Sequence, residues 1–146
     1  MRDIGQAVGR AIPFASLLGI QLRERSAGHV VLELPLREEL MNSAGTAHGG
    51  VLMTLLDVAM SVAARTAAPD VYFAVTMEMK TTFIATCSGL LVAEARCIHA
   101  ARSVAFSEGE VREDASGRLV ARASGTFMLR RERAGGESAS QPSQDS

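Results

Sequence analysis

Residues 42–60 read NSAGTAHGGVLMTLLDVAM, and everything else in the chain has to be arranged around them. From Val51 to Thr66 the side chains are apolar almost all round: Val51, Leu52, Met53, Leu55, Leu56, Val58, Ala59, Met60, Val62 and Ala63. Such a run predicts a helix surrounded by protein, because no polar face is left for solvent. Ala67, Ala68 and Pro69 mark its end. In the middle stands a single carboxylate, Asp57, whose nearest charged neighbours along the chain are Glu39 and Arg65. Isolated ions are expensive to bury, so this one needs a partner, a proton or a chemical task.

Working outward, HVVLELPL (29–36) alternates with Val30, Leu32, Leu34 and Leu36 on one face, and Gly19 to Gly28 supplies a preceding strand and turn. EELMNSAGTAHGG (38–50) has the composition of a loop. Four strand candidates follow the helix. FAVTMEMKTTFIA (73–85) predicts Val75, Met77, Met79, Thr81 and Phe83 on one face, with Thr76, Glu78, Lys80 and Thr82 on the other. GLLVAEARCIHA (89–100), SVAFSEGEVRE (103–113) and RLVARASGTFML (118–129) come next, the last two flanking the hairpin turn DASG. Four strands joined in series predict an antiparallel meander. One all-apolar helix can be hidden only if that sheet curls about it, so the expected class is α+β, with an antiparallel sheet wrapped around one long central helix. The expected organisation is an N-terminal segment at 1–12, one domain at 13–130 and a disordered polar tail at 131–146.

Fifteen basic and sixteen acidic residues give a net charge of −1, which offers no electrostatic footprint for nucleic acid or an anionic membrane. Cys87 and Cys97 are too few for a disulfide framework, so a reduced, cytoplasmic compartment is expected. AIPFASLLGI (11–20) has the length of a signal-peptide core. Asp3 precedes it and no small-x-small cleavage site follows, so it is expected to be a helix packed on the body. No His/Cys cluster has ligand spacing, so neither a metal nor any other cofactor is expected. There is also no Gly-x-Ser-x-Gly elbow, and neither Cys has a His-containing motif beside it.

Chemistry concentrates at the start of the helix. Gly49 and Gly50 expose backbone N–H groups that lack intrahelical partners, and two glycines let a ligand approach closely. With the helix dipole this suits an anionic oxygen, including the oxyanion formed when water attacks a thioester. Asn42 and His48 can add hydrogen bonds. Gly50 to Asp57 is about 10 Å of helix rise, too far for both to act on one carbon. Two antiparallel copies of the helix remove the difficulty, since each Asp57 then faces the other helix's N-terminus. A dimer with two identical sites is therefore expected. The alternative for Asp57 is a buried structural acid satisfied by nearby donors.

Asn42, His48-Gly49-Gly50 and Asp57, nine residues after the His, strongly resemble the hotdog-fold acyl-CoA thioesterases of the phenylacetic-acid-degradation type. LGIQL, TMEMKTTFI, SEGEVRED and SGRLVARASGTFML are similar to that family's strands in the same order, so the resemblance spans roughly residues 13–130. It implies a hotdog fold and hydrolysis of an acyl- or aryl-CoA thioester by a homodimer or a dimer of dimers. Asp57 matches the family's general base or nucleophile. The Gly49 N–H matches the group that polarises the thioester oxygen, with Gly50 its neighbour in the motif. Asn42 matches the loop Asn that orients carbonyl or water, and His48 the hydrogen-bonding organiser of the motif. Where members often read Leu-Arg-Pro after the strand Phe, this chain has Ile84-Ala85-Thr86. Lys80 and Arg102 are the replacement candidates for the CoA phosphates, although a solvated strand-face charge is the favoured reading for each, and Phe14, Tyr72 and Phe83 are the candidates for the acyl pocket. For Phe83, core packing is the favoured reading. Two other functions share the fold: a non-catalytic acyl-CoA-binding module, which would not need Asp57, and a dehydratase, whose His and acid sit in a different loop context.

Overall fold

A computed structural model of the chain describes residues 2–132. The elements run β1 (Arg2–Asp3), α1 (Gly5–Val8), α2 (Pro13–Leu18), β2 (Gln21–Ser26), β3 (His29–Leu34), a 3-10 turn (Glu38–Leu40), α3 (Gly49–Arg65), β4 (Val71–Phe83), β5 (Leu91–Ala100), β6 (Val104–Glu113) and β7 (Leu119–Arg131). All seven strands belong to one sheet in the order β1-β2-β3-β5-β6-β7-β4, every pair antiparallel. The sheet curls so that β3 through β7 all pack on α3. This is the expected α+β hotdog architecture.

The alternation read in β3 is real, because Val30, Leu32 and Leu34 are fully buried. They share one core with Leu55, Leu56, Ala59, Met60 and Ala63 of the helix and with Leu91, Ala93, Val111 and Phe127 of the sheet. Gly109 sets how closely the sheet approaches. A Cβ there would lie 3.2 Å from Leu56 Cδ2 and 3.3 Å from Met60 Cγ, so a larger residue would force helix and sheet apart. In the two-residue β2–β3 turn, Gly28 has φ 70°, a conformation that costs other residues more.

The N-terminal residues join the domain. β1 pairs with β2, and Ile4 and Ala7 lie in the core. The helix expected in residues 11–20 forms over Pro13–Leu18 as α2, with Pro13 in its first turn and Gly19 (φ 85°) closing it. Arg131 ends β7, Glu132 follows it, and the rest of the expected tail lies outside the described residues.

Four expectations need correction. The strands after the helix are not a simple meander: β4 pairs with β7 at the far edge, and β5 inserts between β3 and β6. The 84–90 connection is a crossing and not a hairpin. It is held by Ile84 and Ala85 N–H donating to Val120 O, and by Cys87 O accepting from Ala47 N–H. Second, a bulge between Thr76 and Glu78 shifts the pleat by one residue. Thr76 lies opposite buried Phe127 and therefore turns inward, whereas Val75 and Met77 do not share the face of Met79 and Thr81. Third, the helix begins at Gly49, two residues before the expected Val51. Fourth, it is not enclosed on every side. Gly50, Met53, Thr54, Asp57, Ser61 and Arg65, spaced three and four apart, form a stripe that is exposed or half-buried. No helix is long and apolar enough to cross a membrane among the described residues.

Candidate active site

The site begins with how α3 is capped. His48 is its N-cap in extended conformation, and its Nδ1 accepts the Gly50 N–H at 2.9 Å. Its carbonyl accepts Val51 N–H at 2.9 Å and Leu52 N–H at 3.2 Å. Nδ1 as acceptor puts the proton of neutral imidazole on Nε2. These bonds leave Gly49 as the one residue of the first turn whose N–H has no partner among the described residues. The second glycine is also explained: a Cβ on Gly50 would lie 3.1 Å from His48 Nδ1 and crowd the cap.

The loop before the cap is pinned from both sides. His48 N–H donates to Leu40 O at 3.0 Å, and Ala47 N–H to Cys87 O at 2.8 Å. Asn42 Oδ1 accepts Ala44 N–H at 3.0 Å and Thr46 N–H at 3.2 Å, while Nδ2 donates to Thr46 Oγ1 at 2.9 Å. The geometry of Asn42 is that of an exposed loop organiser. One Nδ2 proton remains to meet a ligand.

Asp57 stands half-buried on the open stripe, about 12 Å of helix rise beyond Gly49. Its Oδ1 accepts a 2.6 Å hydrogen bond from Thr76 Oγ1. Thr76 is the site residue that sequence reading missed. Strict alternation sent it to the outer face, and only the bulge brings it to the helix. A hydroxyl in a strand beside a lone acid was the available signal, but without the register it pointed nowhere.

Phe83 is not a core residue. It is 51% exposed, and a Cβ on Gly49 would lie 3.5 Å from its ring atoms, so the ring stands over the free N–H end of the helix. Lys80 and Arg102 are not brought there. Lys80, opposite Ser124, points from the outer face of the sheet. Arg102 lies in the β5–β6 turn at the other end of β4, where its carbonyl accepts Arg131 Nε–H at 2.9 Å. Arg131 in turn pairs with Asp70, just before β4. Phe14 on α2 and Tyr72 near the start of β4 are both exposed.

Neither cysteine is set up as a nucleophile. Burial is the largest influence on both Cys87 and Cys97 and pushes each thiol up, away from the reactive thiolate. Among the described residues no three His, Cys, Asp or Glu side chains cluster as metal ligands would.

Comparison with known proteins agrees with this arrangement. The profile of the thioesterase superfamily matches residues 44–120, which carry the cap, the helix and strands β4 to β6. The chain is 29% identical to human acyl-coenzyme A thioesterase 13 over 88% of its own length and 94% of that protein's. Among solved structures, a phenylacetic acid degradation-related protein from Ralstonia eutropha superposes with a TM-score of 0.75 at 26% identity. That superposition covers 88% of this chain and 99% of that one. The smu.793 protein of Streptococcus mutans, solved bound to acetyl CoA, has the same fold, with a TM-score of 0.71 at 23% identity over 79% and 91% of the two chains. A capped helix inside a curled sheet, with the matching profile laid over more than half the sequence, makes this chain a member of the thioesterase superfamily.

Proposed function

We propose that the protein hydrolyses acyl- or aryl-CoA thioesters to free acid and CoA, and that it does so as a homodimer or a dimer of dimers. The observation that carries this reading is the pairing of one unclaimed N–H, at Gly49 where α3 begins, with one half-buried carboxylate, Asp57, on the open stripe of the same helix. About 12 Å apart, they cannot serve one carbon within a chain. Antiparallel apposition of two such stripes brings the Gly49 of one chain to the Asp57 of the other.

In that site the thioester oxygen accepts the Gly49 N–H, where the helix dipole favours the negative charge that develops. Asp57 either takes a proton from the attacking water or attacks the carbonyl itself, and Thr76 holds its second oxygen in place. His48 keeps the cap in shape and so keeps Gly49 free. Asn42 shapes the loop and has a proton to spare for substrate. Phe83 lies where the acyl group would enter. The relative that is an acyl-coenzyme A thioesterase and the fold neighbour bound to acetyl CoA support CoA as the thiol carrier. No cofactor enters this reading.

The test is release of free thiol from a panel of aliphatic and aryl acyl-CoAs, together with complementation. Asp57→Ala and Asn42→Ala proteins, each inactive alone, should regain activity when mixed, because a mixed dimer holds one intact site. Tight acyl-CoA binding without turnover by the wild type would replace hydrolysis with binding. An active monomer in light scattering at assay concentration would remove the shared site.

A further inference from the structure

At the other end of α3 the N-terminal residues, the β2–β3 turn and the chain leaving the helix border an open cavity of about 480 Å³. Its charged lining consists of Arg25 and Arg65, and no carboxylate lines it. Ser26 and Thr66 add hydroxyls, and Pro69 and Val71 an apolar wall. Both arginines are anchored without being neutralised. Arg25 Nη1 donates to Ala7 O, and Arg65 Nη2 donates to Val8 O at 2.8 Å. Neither forms an ion pair among the described residues, and what sets them apart from other unpaired arginines such as Arg102 and Arg118 is that both line one cavity.

An arginine has five N–H donors, and one bond to a carbonyl leaves most of them available. Clamping α1 therefore accounts for the position of the two side chains but not for two uncompensated charges in one hollow. The C-terminal dipole of α3 offsets part of the Arg65 charge. Burial and the nearby Arg10 act against it, and both lower the Arg65 pKa, burial the more strongly. Arg25 is exposed and Arg65 half-buried, and with no carboxylate in the lining an anion entering the cavity would meet two guanidinium groups that nothing there neutralises.

We propose that this cavity is a binding site for a phosphate-bearing small molecule, with Arg25 and Arg65 holding the phosphate and the Pro69–Val71 wall receiving its organic part. The volume is in the range of small-molecule sites, and paired guanidinium groups match phosphate oxygens in geometry as well as charge. The phosphate has two sources: a free nucleotide, or the nucleotide end of CoA itself. The site stands whether or not the protein hydrolyses thioesters, because binding alone reports on it.

Isothermal titration of the full chain with ADP, with CoA and with inorganic phosphate tests it. The wild type should bind ADP or CoA, more weakly as salt rises. Arg25→Gln should weaken binding by about tenfold, the usual consequence of losing a charge-assisted hydrogen bond. Arg65→Gln should do the same, and Arg65→Lys, which retains the charge, should lose less. If Arg65→Gln does not fold, Arg25→Gln and Arg65→Lys still decide the matter. A KM that rises for acyl-CoA but not for an N-acetylcysteamine thioester identifies the substrate's own nucleotide as the ligand. ADP binding with both KM values unchanged identifies a separate nucleotide. Absence of binding by ADP, CoA and phosphate at millimolar concentration, or equal binding by Arg25→Gln and wild type, overturns the proposal.

Discussion

The two faces of the central helix are built from one continuous sequence and have opposite fates. One face, with Leu55, Leu56, Ala59, Met60 and Ala63, is sealed against five strands. The other, running Gly50, Met53, Thr54, Asp57, Ser61 and Arg65, is left partly open and carries every polar side chain the helix has. The sealed face is what hydrophobic burial requires of a domain this size. The open face burdens an isolated chain, with Met53 uncovered beside a half-desolvated acid. The edge strand β4 adds to it, with Tyr72, Phe73 and Met77 exposed. On our reading, folding uses one face and chemistry between two chains uses the other.

That division can be broken by substitutions that should separate stability from turnover. The largest effect on folding should come from Leu56→Ala, which opens a cavity between helix and sheet. We expect a loss of about 2–5 kcal/mol in urea denaturation, with kcat per folded molecule unchanged. Thr76→Val keeps the shape of a β-branched residue but removes the hydrogen bond to Asp57. It should lower kcat by about tenfold, roughly 1.4 kcal/mol in the barrier, with the melting temperature nearly unmoved. An unchanged kcat would mean that Thr76 satisfies Asp57 without positioning it.

The smallest effect concerns a cluster on the outer side of the sheet, where neither face of the helix is involved. Glu94 accepts from His29 at 2.8 Å and from Arg96 at 2.8 Å, and these contacts, His29 first, hold its carboxyl below the ordinary value. A depressed carboxylate contributes stability above its unfolded pKa and loses it as pH falls through the folded one. Glu94 is half exposed, so the contribution should stay below about 1 kcal/mol. Glu94→Gln should accordingly melt slightly below wild type at pH 7, converge with it under acid conditions, and leave turnover alone. A turnover change would mean that the sheet's outer side is coupled to the site.

How much of this was legible in the sequence follows the same line between local and non-local information. The alternation of Val30, Leu32 and Leu34, the apolar helix and the DASG turn ahead of Leu119 are local patterns, and each element forms, the helix starting two residues ahead of its apolar run. The spacing of Asn42, His48, Gly49 and Asp57 carried the family. The place of β4 was not legible, because a strand's neighbours depend on which partners bury its apolar face and not on which strand follows it. Nor was the Thr76 bulge, where one extra residue flips every side chain after it and hides the residue that reaches Asp57. The open stripe on α3 escaped for a related reason. Its members Met53, Thr54 and Ser61 are small or apolar enough to read as buried until the sheet is seen to stop short of them.

The central claim is that Asp57 is present for chemistry and not for folding, and it is tested most directly by measuring kcat and melting temperature on the same preparation of Asp57→Asn. The substitution keeps the shape and an acceptor for Thr76 but removes the negative charge. If the account holds, the protein melts at or above the wild-type temperature, still binds acyl-CoA, and loses kcat by at least about 10²-fold, as removal of a general base requires. A variant that hydrolyses acyl-CoAs at the wild-type rate, or one that unfolds several degrees earlier while its folded fraction stays active, would make Asp57 a structural acid and contradict the account.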